Sequence, residues 1–287
     1  MKQSTHFPVF MALLGVLMFS LLDTIMKAQA LAMGTYSAMF WRMAFGMLFA
    51  FLLLFPRVQV RTISGPALKI HMLRAALTTL MTYLFFFSLT RIPLAQAIGL
   101  SFIAPIISLF LAAPLLGERI QSNAKIAATL GFMGVVVVVG SELLSIDASS
   151  DLLGLSAVLV FALLYALYLI LQRKHSLMAS PLEIVFYQNI MVFGMLLLGA
   201  PFFVSLPANA AQWGGAALAA AFAMGSLALM SMAYRRAEIQ KLTSIEYTAF
   251  IWGALFGWLI FAEGLSVQTL LGTGLIVAGC LANLRRG

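Results

Sequence analysis

Runs of about 20 residues with almost no charge recur ten times along this chain, each long enough for a helix to cross the roughly 30 Å hydrocarbon core of a bilayer. They fall at 8–30, 36–56, 70–90, 94–116, 124–141, 152–172, 182–205, 212–233, 242–262 and 267–284. A segment surrounded by lipid must satisfy every backbone N–H and C=O internally, which an isolated strand cannot do and a helix can. The expected fold is therefore an all-α membrane protein with ten transmembrane helices. Only 9% of the residues are charged and 63% are hydrophobic. Soluble domains carry about 25% charged residues, so water could not solvate this surface. The first run follows Met1-Lys2 as a signal peptide would. It is too long for an h-region and contains Asp23 and Lys27, so it is expected to be a retained helix.

The net charge of +8 does not make a nucleic-acid surface, because the basic residues lie between apolar runs rather than in one patch. Such residues set orientation, since Lys and Arg are retained on the cytoplasmic side. With the N-terminus in the cytoplasm, that side collects Lys2, Arg57, Arg61, Lys69, Arg74, Arg119, Lys125, Arg173, Lys174, Arg235, Arg236, Lys241, Arg285 and Arg286. Lys27 and Arg91 fall outside, and Arg42 lies within a span. Both termini are expected to be cytoplasmic. The acidic loop with Glu142, Asp147 and Asp151 is then periplasmic.

That loop divides the chain into a first five-helix unit (1–142), a linker (143–151) and a second five-helix unit (152–287). Five is odd, so two homologous halves would insert with opposite orientation. Thr90–Arg119 and Arg235–Gly264 echo each other: Arg91 falls on Arg236, Glu118 on Glu263 and, further along, Gly134 on Gly279. Phe40-Trp41-Arg42 is likewise echoed by Phe186-Tyr187-Gln188. Inverted repeats place a substrate path at their pseudo-two-fold axis, where rocking of the halves alternates access.

On these residues the chain resembles the drug/metabolite transporter superfamily, in its EamA-type ten-helix branch. The resemblance is carried by Arg91-Ile-Pro-Leu-Ala-Gln-Ala, the helix with Pro105, Pro114-Leu-Leu-Gly-Glu118, and Gly131 and Gly134. Asp23-Thr-Ile-Met-Lys27 and Phe40-Trp-Arg42 carry it too. The second half departs from the pattern, with Glu238 opposite Pro93 and Gly264 opposite Arg119. The resemblance implies a basket of helices around a central cavity that moves small metabolites, mostly by export and in some members by proton exchange.

Charges inside the hydrocarbon region are costly unless paired or wet, so each needs an account. Asp23 and Lys27 lie one turn apart and can form a self-neutralising pair, with Lys27 snorkelling to the interface. Alternatively Asp23 serves as a gate or proton site. Arg42 can pair with Asp23 or hold a substrate carboxylate through two parallel hydrogen bonds. Glu246 is a candidate for proton exchange, or a partner of Lys241 or Arg236 at the membrane surface. Gln188 and Asn189 can bind a polar substrate or join helices.

Tyr83, Tyr165, Tyr168, Trp252 and Trp258 are candidate cavity residues or members of interfacial belts, with Tyr83 and Trp252 placed deepest. Pro105 removes a backbone hydrogen bond midway along the fourth span and is expected to bend it. Gly131, Gly134, Gly272, Gly274 and Gly279 read as helix-contact faces. Glu118 and Glu263, at helix ends, read as loop-fixing residues.

Cys280 is a lone cysteine, and His6, His71 and His175 have no metal-ligand spacing. Metal and cofactor are not expected. No hydrolase, zincin, phosphate-loop or dinucleotide motif is present, so an enzyme is not expected. The sequence points to an inner-membrane secondary transporter that exports a small polar or amphipathic metabolite such as an amino acid. Protons are the candidate coupling ion, and the protein would be a monomer or homodimer. Uptake of a cofactor-like metabolite is the second reading, and an intramembrane enzyme or lipid flippase the reading from another class.

Overall fold

The computed structural model describes residues 6–54, 65–116, 126, 129–138, 151–176, 181–234, 245–246 and 248–284. Among them every regular element is a helix: α1 (His6–Met33), α2 (Thr35–Leu54), α3 (Gly65–Leu89), α4 (Leu94–Ser101), α5 (Ile103–Leu116), α6 (Thr129–Val138), α7 (Asp151–Ser176), α8 (Pro181–Phe203), α9 (Ala210–Tyr234), α10 (Thr248–Phe261) and α11 (Val267–Leu284). Five stretches are long and apolar enough to cross a membrane: Val9–Met33, Leu68–Leu89, Leu152–Leu171, Val185–Phe203 and Ala210–Met230. Shorter apolar helices cover Leu94–Ser108, Thr129–Val138, Thr248–Phe261 and Val267–Gly279.

Local chemistry sets several boundaries. Gly34, at φ +83°, supplies the left-handed residue that ends α1 and lets α2 begin at once. Its N–H donates to Ala30 O, and its own carbonyl accepts from Ala38 N, so neither group is lost at the turn. Between α3 and α4 the amides of Arg91 and Ile92 both donate to Ser88 O at 2.9 Å. Pro93 then sits at the start of α4, where a missing N–H costs nothing.

The fourth span is divided in two. The chain leaves α4 at Phe102, and Pro105 lies in the first turn of α5. Proline has no N–H to offer the carbonyl of Ser101, four residues back.

Helix pairings interchange the two halves. α1 packs along α9 as α7 packs along α3; α2 meets α9 as α8 meets α3; α1 meets α10 as α7 meets α4 and α5. α2 with α8, and α4 with α10, pair across the centre. This is the pattern that a two-fold relation between the halves produces.

The surface inverts the order of a soluble protein. Leu198, Phe202, Phe132, Leu52 and Trp258 are exposed, while Asp23, Lys27, Arg42, His71, Arg74 and Gln96 are buried. Lipid solvates the former, and the latter need partners within the bundle.

Of the glycines read as contact faces, Gly134 and Gly272 bring α6 and α11 together. A Cβ on Gly272 would meet Gly134 O at 2.6 Å, and one on Gly131 would meet Ile106 Cδ1 at 2.6 Å. Gly274 has nothing within 4 Å and is exposed, so it makes no helix contact. It lies two residues from Gly272, and positions two apart on a helix do not share a face.

Candidate functional site

Two groups of polar side chains within the bundle involve charged residues. The first closes the end that holds the α3–α4 turn. α10 ends at Phe261, and Ala262 adopts φ +54°, a left-handed conformation that favours glycine. With that reversal Glu263 N–H donates back to Gly257 O at 3.0 Å and the Glu263 carboxylate turns toward α1 and α4. One carboxylate oxygen accepts from Leu94 N at 2.8 Å, so it caps α4, whose first N–H groups have no partner within the helix. The other forms an ion pair with the Lys27 ammonium. Lys27 also donates to Ile92 O at 2.9 Å and lies 5.2 Å from the centre of the Phe261 ring.

This arrangement corrects the reading of Lys27. Its ammonium is buried and held by Glu263 rather than paired with Asp23 or extended to the interface. Glu263, which supplies both contacts, binds the turn that precedes α4.

The second group lies among α1, α2, α3, α7 and α8, together with Glu246. Asp23 on α1 is 3% exposed and Arg42 on α2 is 7% exposed. The two influence each other through charge, yet no ion pair within 4 Å joins them among the described residues. The Arg42 guanidinium lies over Phe86 of α3, 5.6 Å from the ring centre. On α7, Tyr165 feels the charges of both Glu246 and Asp23. It continues an aromatic ladder: Phe85 against Phe161 at 4.7 Å, Phe161 against Tyr165 at 5.5 Å and Tyr165 against Tyr168 at 6.2 Å.

The ladder leads to Arg74, which the charge pattern counted among the residues that set the cytoplasmic side. Arg74 is buried within α3. It donates to Tyr168 OH at 2.8 Å and to Gln188 Oε1 at 2.7 Å, and its guanidinium lies over the Tyr168 ring at 5.1 Å. Spacing hid this role, because an arginine ten residues into a helix reads as a boundary charge when the helix start is uncertain.

Other candidates lie elsewhere in the bundle. Asn189 donates to Val185 O within its own helix, and its Oδ1 lies where a Cβ on Gly46 would meet it at 2.5 Å. That places it in the contact of α8 with α2. Tyr83 stacks on Phe87 at 6.2 Å, and Trp252 on Phe256 at 6.0 Å. Trp258 is exposed. Lys241, Arg236 and Glu118 lie outside the described residues. Among the described residues no group of three His, Cys, Asp or Glu side chains could hold a metal ion.

The exposed apolar surface and the buried charged side chains define a multi-pass membrane protein. The chain belongs to the EamA-like transporter family, whose model matches residues 6–140 and again 152–285. It is similar to an uncharacterized transporter of Helicobacter pylori, at 25% identity over 98% of this chain and 95% of the relative. It is also similar to the pseudopaline exporter CntI of Pseudomonas aeruginosa, at 24% identity over 96% and 94%. The S-adenosylmethionine uptake transporter of Rickettsia felis is 25% identical over 74% and 70%. A crystal structure of a protein 17% identical in sequence superposes with a TM-score of 0.67, covering 96% of this chain and 94% of the other. The protein is thus a transporter of the drug/metabolite type and not an enzyme.

Proposed function

We propose that this protein is a secondary active transporter of the inner membrane that exports a small polar or amphipathic metabolite in exchange for protons. Ten spans in two inverted units, 1–142 and 152–287 joined by a periplasmic linker, carry it, and both termini lie in the cytoplasm. The observation that carries the reading is the burial of Asp23 and Arg42 inside a bundle whose two halves each match the EamA-like transporter family. An acid held within the bundle, Asp23 or Glu246, can couple a proton to a substrate, because binding one changes the free energy of binding the other. Arg42, Arg74, Tyr168 and Gln188 supply further donors and acceptors within the bundle. The break between α4 and α5, with Pro105 just after it, is the hinge about which the fourth span rocks.

Export is supported by the exporter among the relatives. The S-adenosylmethionine uptake transporter supports a second reading, uptake of a cofactor-like metabolite through the same site.

Thermal stabilisation of the detergent-purified protein against a metabolite panel at two pH values tests the reading. A ligand that binds only the folded state raises the melting temperature as its occupancy grows. A metabolite whose affinity changes with pH is the expected result. A hit without pH dependence would replace exchange by facilitated diffusion, and no hit from a broad panel would favour a lipid substrate.

A further inference from the structure

Asp23 and Arg42 stand at nearly the same level of an antiparallel helix pair. Asp23 lies eleven residues before the Gly34 turn and Arg42 eight residues after it, a difference of about 4.5 Å along the helix axis. Buried opposite charges so placed ordinarily close into a hydrogen-bonded pair, because low dielectric penalises each charge left alone. Here they do not close. Asp23 Oδ1 and Arg42 Nε find no hydrogen-bond partner among the described residues, and the Arg42 guanidinium rests on Phe86 instead. Ser20 Oγ, one turn from Asp23 on the same face of α1, and Thr78 Oγ1 of α3 are also buried without partners among the described residues.

From this geometry we infer that Asp23 and Arg42 form a divided receptor for an amino-acid-like zwitterion, Asp23 taking its ammonium and Arg42 its carboxylate. The inference rests on the transporter reading for its biological use but concerns binding alone. A guanidinium matches a carboxylate through two parallel hydrogen bonds, and an ammonium offers three donors to Asp23 and neighbouring hydroxyls. A zwitterion also leaves the charge of the buried pair balanced, whereas a lone anion or cation would add a net charge to a low-dielectric interior.

The test uses the full-length protein in detergent and the twenty standard amino acids as probes, read by melting temperature. Each stabilising amino acid is then compared with its carboxamide, its N-acetyl derivative and its decarboxylated amine. The expected result is that at least one amino acid stabilises and that deleting either charged group weakens it about tenfold or more, as loss of a charge-assisted hydrogen bond does. Arg42→Gln should then bind acid and carboxamide equally well, and Asp23→Asn should lose its preference for the free amine over the N-acetyl form. Stabilisation by no amino acid, or equal stabilisation by the neutralised analogues of the unmodified protein, would overturn the inference. If either variant fails to fold, the analogue series on the unmodified protein still decides. Counterflow of the same amino acid in proteoliposomes separates the two readings. Discriminating binding without flux keeps the receptor and removes the transporter, while flux of other solutes without discrimination does the reverse.

Discussion

Lys27 and Glu263 stand 236 residues apart in the chain and meet as an ion pair with a buried Lys27 and a partly buried Glu263, whose second oxygen is on the first amide of α4. The pair ties α1, the α3–α4 turn and the end of α10 into one unit. Glu263→Gln leaves the Lys27 ammonium buried without its counter-charge, and removing one partner of such a pair costs about 3 kcal/mol. The melting temperature in detergent should fall clearly. Lys27→Met combined with Glu263→Gln should recover much of the loss, because no buried charge then remains. A double variant no more stable than Glu263→Gln alone would show that the α4 cap, rather than the pair, carries the effect.

Arg74 gives a graded series. Arg74→Ala removes the donor shared by Tyr168 and Gln188, two half-buried groups that keep the 3.4 Å hydrogen bond from Tyr168 OH to Gln188 Oε1. A destabilisation of about 2 kcal/mol is expected. Gln188→Ala removes one acceptor and leaves Tyr168 in place, so its effect should be smaller. Chemical denaturation of the three proteins in matched detergent ranks them, and an equal loss for both variants would assign the network to Gln188.

These two clusters mark where the sequence was legible and where it was not. The helices could be read because lipid demands long uncharged runs, and the observed elements lie within those runs to a few residues. The repeat could be read because charge and span recur at Arg91–Glu118 and Arg236–Glu263. Partners could not be read. Asp23 and Lys27 are four residues apart and invite a local pair, but the side chain that meets Lys27 arrives from the far end of the chain, turned inward at Ala262. Arg74 counted as a boundary charge, because hydropathy gives the polarity of a segment and not the face on which a residue lies. Tyr165 and Tyr168, less favoured than Tyr83 and Trp252 on depth alone, stand beside the charges because α7 packs on α3. Linear position carries no information about that contact.

The approach of α6 to α11 depends on the absence of side chains. Gly134→Val would push a side chain into Gly272 O and Ile276, both of which a Cβ alone already meets closely. Overpacking of this kind costs about 1–3 kcal/mol. Gly274→Ala should leave stability unchanged, since nothing lies within 4 Å. Melting temperatures of the two variants check the contrast, and a neutral Gly134→Val would mean that the helices separate freely.

The proposed inverted topology predicts labelling by side. In a Cys280→Ser background, a cysteine introduced at Asp147 should react with an impermeant maleimide added to intact cells. A cysteine introduced at Lys2 should react only after the cells are opened. Labelling of both from outside would exclude cytoplasmic termini.

Proton-coupled flux tests the central proposal most directly. The purified protein is reconstituted into liposomes with the metabolite that best stabilises it, and accumulation is followed with and without an imposed pH gradient. The expected result is gradient-driven accumulation by the unmodified protein that Glu246→Gln abolishes, while the folded variant still exchanges substrate at equal pH. Undiminished gradient-driven accumulation by Glu246→Gln would remove that carboxylate from the coupling, and no flux from the unmodified protein would contradict the transport of that metabolite itself.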